Sequence, residues 1–350
     1  MQGESTIRVA FVGAVKWMES HHLPVLSRLR EQWPLEFIGI WNRTQEKAIR
    51  LAALFGIPHV YDRLEDLLED PTPNCRVVVV DKGALFPILQ VLNKNPLPFL
   101  CEKPPGETSA QAKTLASQIR VPHVLAFNRR YAPLYNHLRS FLHEQERTPY
   151  WAECSFYRRA RKDPHMVVES GIHGINFFEY LLGPIRKATP LPLREKNMIP
   201  APGALEDRIE PRMAVEPRMA LVEFASGTRG LVKFFPSTGK ALEWYEFQGE
   251  DYSAYLRMRQ SFLDEEKETL SIFQKRGGEA FSPPVEMESP SEDPLLQQGF
   301  VGEYEEFLQI VQDPGKPSRS TFQNGWSSLA VAEAIEQGRI YGRETGNSYP

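Results

Sequence analysis

Lys103 stands in a Cys101-Glu102-Lys103-Pro104-Pro105 run that follows a short apolar stretch. A lysine amine there can pass a proton to or from a substrate hydroxyl, because partial burial brings its pKa down toward working pH. A second pair lies in Glu169-Ser170-Gly171-Ile172-His173, with Asn176 one turn on. A spacing of four puts the Glu169 carboxylate and the His173 imidazole on one side of a helical turn, a workable acid/base pair. The alternative is an N-capping glutamate and a histidine satisfied in the core. Arg158, Arg159, Arg161 and Lys162 cluster a few residues earlier. They could hold a carboxylate or phosphate through guanidinium contacts, or simply face solvent.

Such side chains need strand ends and helix turns to hold them. Apolar runs at 7–12, 36–41, 77–80, 99–101 and 124–127 alternate with helix-like stretches at 20–32, 45–55, 64–69 and 109–119. Alternation of this kind predicts βαβ units and a doubly wound parallel sheet. The four valines at 77–80 suit a strand covered on both faces. In these sheets ligands sit at the carboxyl ends of the strands. The first such end is Gly13-Ala14-Val15-Lys16-Trp17-Met18, where a dinucleotide site usually carries G-x-G-x-x-G. Only Gly13 is kept; Val15 and Met18 hold the other two places, and Lys16 could meet a phosphate. The turn is either a weakened nucleotide site or a plain strand-to-helix connection. The second end is Asn42-Arg43-Thr44. An arginine in place of an acidic residue suits a 2′-phosphate and favours NADP over NAD. Alternatively Thr44 caps the next helix and Arg43 lies in solvent.

Beyond residue 149 the pattern changes. Strand-like runs at 151–157, 220–224, 230–235 and 243–248, with a helix at 174–182, predict an α+β domain on a mainly antiparallel sheet. Residues 277–294 are rich in Pro, Glu and Ser and are expected to form a surface loop; helices are expected at 303–311 and 326–338. A Glu-Pro-Arg-Met-Ala segment at 210–214 recurs at 216–220, a local duplication. Two domains follow, 1–127 and 128–350, with the last helix free to pack back on the first.

The charge balance, −4 from 41 Lys+Arg against 45 Asp+Glu, argues against a nucleic-acid partner. No apolar run reaches the ~20 residues of a membrane span. Three widely spaced cysteines exclude a disulfide scaffold, and no Cys/His/Asp set has metal-ligand spacing. With no export signal at the start of the chain, a cytoplasmic protein is expected.

Several segments agree in order and spacing with one family. These are Glu102-Lys103-Pro104, His22-Leu23-Pro24, Asn128-Arg129-Arg130-Tyr131-Ala132-Pro133, the Gly171-Ile172-His173 helix that runs to Leu182-Gly183, and the terminal helices. Together they resemble the Gfo/Idh/MocA family of NAD(P)-dependent oxidoreductases. The resemblance implies a Rossmann domain followed by an α/β domain whose open sheet often pairs copies into a homodimer or homotetramer. It also implies hydride transfer between the nicotinamide and a carbinol carbon of a small sugar- or polyol-like substrate. On that footing Lys103 relays the hydroxyl proton, and His173 acts as acid/base or orients the hydroxyl, with Glu169 holding the imidazole. Arg130, Tyr131 and Asn176 contact substrate, joined by Arg158 if the substrate is anionic. Gly13, Val15, Lys16, Asn42, Arg43, Thr44 and Glu102 line the cofactor, NADP in preference to NAD. The departures are a glycine loop one residue longer than usual, Asp81-Lys82-Gly83 where the family tends to show Thr-Pro-Asn, Glu169 for Asp, and Asn176 for an acidic residue. They leave two other readings: a non-catalytic ligand-binding or assembly protein without cofactor, and a lyase or hydrolase that cycles a bound nicotinamide.

Overall fold

A computed structural model describes residues 6–143, 146–159, 163–193, 216–259, 267–275 and 284–343. Arg161, Lys162, the first copy of the duplicated segment and residues 277–283 lie outside them. The chain forms two compact units, Met1–Asn136 with Pro290–Leu329, and His137–Ser289 with Ala330–Pro350.

The first unit is built on six parallel strands: β1 (Ile7–Val12), β2 (Leu35–Trp41), β3 (His59–Val60), β4 (Cys75–Val78), β5 (Phe99–Glu102) and β6 (His123–Ala126). Their order is β3-β2-β1-β4-β5-β6, so the winding reverses between β1 and β4. Five helices connect them: α1 (Leu23–Leu29), α2 (Gln45–Phe55), α3 (Leu64–Glu69), α4 (Lys82–Leu92) and α5 (Ser109–Gln118). Local signals fix several boundaries. Gly56, in the left-handed region at φ 67°, ends α2, and the Thr108 side chain accepts the Gln111 amide to start α5. Every residue of β4 is buried, as expected for a strand covered on both faces. The strand is Cys75–Val78, not 77–80; Val79 and Val80 form its exit.

The helix expected over 20–32 differs more. A π turn, Met18–His22, precedes the short α1. A π turn closes on i→i+5 bonds and takes up one more residue than an α turn.

In the second unit, α6 (Pro133–His143) leads in from the first. The sheet has nine strands: β7 (Trp151–Tyr157), β8 (Ile185–Pro190), β9 (Arg218–Phe224), β10 (Arg229–Phe235), β11 (Leu242–Gln248), β12 (Tyr252–Met258), β13 (Thr269–Gln274), β14 (Val285–Glu288) and β15 (Tyr341–Gly342). They lie in the order β14-β13-β12-β11-β7-β10-β9-β8-β15, antiparallel except for β7 with β10. Residues 285–288 are thus a strand paired with β13, not part of a loop. A second π turn, Val167–Gly171, opens α7 (Ile172–Leu182). That helix lies close on one face of the sheet: a Cβ on Gly174 would sit 2.4 Å from Cys154 Sγ. On the opposite face Trp244, Tyr255 and Phe273 form a ladder, with ring centroids 5.7 and 5.9 Å apart.

After α8 (Pro294–Gln297), α9 (Phe300–Gln312) returns to the first unit, three residues earlier than the expected start at 303. It buries Phe300, Tyr304, Phe307 and Leu308 against Val9 and Phe11 of β1 and their neighbours. The last helix, α10, is Phe322–Glu336, not 326–338. No helix among the described residues is long and apolar enough to cross a membrane.

Candidate active site

The carboxyl end of β5 in the first unit is organised around the Glu102 carboxylate. Its Oε1 accepts Trp17 Nε1–H at 2.9 Å and lies 3.0 Å from His22 Nε2; its Oε2 accepts the backbone N–H of Lys103 at 3.0 Å. Burial pushes this carboxyl up, but the hydrogen bonds from His22 and Trp17 and the charge of Lys103 outweigh it and hold Glu102 below the usual carboxylate range. An ionised carboxylate only accepts, so His22 Nε2 carries a proton, and the tautomer is set from the other side by Tyr304 Oη, 2.7 Å from Nδ1. Lys103 therefore leaves β5 from a backbone fixed by its own neighbour's side chain.

Of the other expected cofactor contacts, Gly13 and Val15 lie in the β1 exit. Gly13 takes φ 104°, and a Cβ there would fall 2.0 Å from Val79 O, so the turn rests on the end of β4 at the reversal of strand order. Lys16, Arg43 and Thr44 are exposed. The Asn42 side chain joins the two turns, accepting the Ala14 N–H at 3.0 Å and donating to Thr44 O at 2.8 Å. Thr44 sits at the N-cap of α2, but its side chain makes no capping bond.

Beyond β6, Arg130 and Tyr131 are buried at 3% and 4% exposure. The Tyr131 hydroxyl donates to Glu306 Oε1 at 2.8 Å, the Arg319 guanidinium lies 4.4 Å from its ring centre, and Arg130 Nη1 donates to the Arg319 carbonyl. These bonds tie the turn after β6 to α9 and the segment that follows it.

In the second unit, Glu169, His173 and Asn176 share one helical run, from the π turn into α7. Glu169 and His173 are half-buried and Asn176 is buried. Glu169 does not cap the turn. That task falls to Glu336 at the end of α10, whose Oε2 accepts the amides of Val167 and Val168 at 3.0 and 3.3 Å, while its Oε1 meets His165 Nδ1 at 2.9 Å. Arg158 leaves β7 half-buried, its guanidinium 5.1 Å from the Phe156 ring centre and Nη1 on Tyr157 O.

Comparison with known proteins gives these sites a frame. Residues 7–127 match the family GFO_IDH_MocA, described as "Oxidoreductase family, NAD-binding Rossmann fold". Residues 7–127 thus carry the Rossmann domain of the Gfo/Idh/MocA family. Among proteins with curated names, YceM of Salmonella typhimurium is 29% identical over 142 residues, 39% of this chain and 44% of that protein. The trans-1,2-dihydrobenzene-1,2-diol dehydrogenase of Xenopus laevis is 30% identical over 117 residues, 31% of this chain and 34% of that protein. The match thus spans less than half the length of either relative. Among solved structures, levoglucosan dehydrogenase in complex with NADH shares the fold at a TM-score of 0.74 and 15% identity, over 96% of this chain and 98% of that one.

Trp17, Tyr304, Glu303 and Glu336 were not foreseen as site residues. Tyr304 lies 282 positions from the histidine it meets, and the spacing of α9 announces only an apolar face. Glu303 is fully buried, and neither carboxyl oxygen has a hydrogen-bond partner. Burial, then the charges of Glu102 and Glu306, hold its carboxyl well above the usual range. A folded-state pKa raised above the unfolded value means that stability is complete in acid and falls as pH rises past the ordinary carboxylate value. Glu303→Gln removes that loss. We expect the variant to melt ~2–4 °C higher than the native chain near pH 7.5 and at the same temperature near pH 4. Thermal melts at the two pH values check this, and a lower melting point at pH 7.5 would show that the carboxyl is needed in ionised form.

Proposed function

We propose that the protein is an NAD(P)-dependent dehydrogenase or reductase acting on a carbinol or carbonyl carbon of a sugar- or polyol-like substrate, with NADP preferred. The observation that carries this reading is the place of Lys103, a lysine set on a fixed backbone at the ligand edge of a doubly wound sheet. The residues of the first unit fit a dinucleotide. Gly13 brings the β1 exit onto the end of β4 where strand order reverses, and exposed Lys16 and Arg43 put positive charge at the ends of β1 and β2. Val15 takes the second glycine place, so side-chain charge stands in for part of the backbone cradle.

The bound nicotinamide would supply or accept the hydride. The chain's own work is proton transfer and orientation. Lys103 takes the proton of the substrate hydroxyl in oxidation and returns it in reduction. In the second unit His173, oriented by Glu169, serves as acid/base or hydrogen-bonds a hydroxyl, Asn176 offers an amide to a polyol, and Arg158 suits an anionic substituent. The protein is further proposed to act in the cytoplasm as a homodimer or homotetramer. The uncovered sheet face, with the Trp244, Tyr255 and Phe273 ladder and Leu221 at 41% exposure, is the surface a second copy would cover.

Lys103→Met is expected to lower kcat by roughly 10²–10⁴-fold while leaving the dinucleotide Kd within about threefold. Steady-state rates and calorimetry check this, and near-native turnover would remove Lys103 from the chemistry. NADPH is expected to bind in the micromolar range, ~−8 kcal/mol, and to weaken with salt. Arg43→Ala should weaken NADPH about tenfold and NADH hardly at all. The absence of any binding heat at millimolar dinucleotide would instead support a non-catalytic protein. Sedimentation equilibrium should return two or four chain masses; a monomer at micromolar concentration would refute pairing through the sheet.

A further inference from the structure

Trp17 occupies the β1 exit loop, and its side chain is unusually placed for a residue that is 42% exposed. One face of the indole stacks on the His21 ring, with centroids 3.5 Å apart and planes at 22°. Its Nε1 edge donates to Glu102, and the Phe300 ring stands to one side at 6.1 Å. His21 beneath it is 5% exposed and bonded to Ser20 Oγ at 2.7 Å, and burial holds its pKa down to about 4, so the ring supporting the indole is neutral at working pH. With one face on His21 and one edge on Glu102, the exposed surface is the opposite face. An exposed aromatic is ordinarily mobile; this one is clamped on two sides. It presents a flat apolar surface at the end of β1, joined through the Glu102 carboxylate to the backbone of Lys103.

We propose that Trp17 is a ring-binding platform, whose open indole face stacks on the planar nicotinamide of a bound dinucleotide beside Lys103. A rigid π surface recognises a flat heteroaromatic ring without needing hydrogen bonds to it, and a ring fixed in this way loses little freedom when it binds. The platform also offsets the lost glycine places. Where Val15 and Met18 reduce backbone contact with the phosphates, Trp17 gives the cofactor an anchor at its reactive end. The Nε1–H···Glu102 bond gives the platform its second role: it keeps the indole and the Lys103 backbone in fixed relation, so the stacked ring and the proton-transfer residue are positioned by one carboxylate.

The proposal rests on the dinucleotide reading, and the test separates the two. NADPH and 2′-phospho-ADP-ribose, which has every part of NADPH except the nicotinamide, are titrated by calorimetry into the full native chain, Trp17→Ala and Trp17→Phe. The native chain should bind NADPH more tightly than the fragment. Trp17→Ala should weaken NADPH about tenfold and leave the fragment within about twofold. Trp17→Phe, which keeps an aromatic face and loses the Nε1–H bond, should retain most of the NADPH affinity. Quenching of tryptophan emission by NADPH, and not by the fragment, should shrink in Trp17→Phe. Equal weakening of both ligands in Trp17→Ala, or no weakening of either, overturns the platform while leaving the dinucleotide reading intact. Failure of the native chain to bind either ligand overturns both.

Discussion

A single buried carboxylate holds the first unit's site together. Glu102 ends β5, and its two oxygens gather an indole from the β1 exit, an imidazole from the π turn, and the amide of Lys103. Taking a charge out of water is unfavourable unless each lone pair finds a donor. Here the donors come from separate segments, and Tyr304 of α9 extends the chain by one link through His22. The loop after β1, the first helix, the end of β5 and a helix from the far end of the sequence are therefore held to one another by a common requirement. Losing any donor would leave charge exposed to an apolar interior. This is why a residue near the far end of the chain, Tyr304, can matter to the orientation of Lys103.

The buried acid next to this knot makes the contrast plain. Glu102 is buried among donors, and its carboxyl is held below the usual range; Glu303 is buried without any, and its carboxyl is held above it. The two carboxyls repel when both are charged, and the one without donors gives way. Environment, not residue type, sets the roles.

Much of the fold was legible from local chemistry. The alternation of strand and helix signals, the stop at Gly56 and the run of valines place the parallel sheet correctly, because each signal acts within a few residues of the structure it sets. Lys103 was legible for the same reason: its meaning comes from being the first residue after a strand. What the sequence hid is what depends on distance or geometry. The strands β8, β12 and β13 were missed, although β12 and β13 alternate buried and half-buried residues through most of their length, as edge-side strands of a one-sided sheet do. Tyr131, expected at a substrate, has its hydroxyl on Glu306, a partner 175 positions away. The Glu336 cap on the second π turn is likewise invisible without the fold, since nothing near Val167 announces it.

Both motif-bearing helices begin with a π turn, Met18–His22 and Val167–Gly171. Each residue of an α-helix advances the chain by about 100° around the axis. A π turn therefore acts as a phase shifter: it admits one residue while the helix beyond it keeps its face toward the core. His22 still reaches Glu102, and α7 still lays Gly174 on the sheet. Loop length and helix orientation are thereby uncoupled, and the two can drift independently as the sequence changes. A motif defined by fixed spacing will fall out of step with such a chain by one position, even where every side chain it seeks is present and in place.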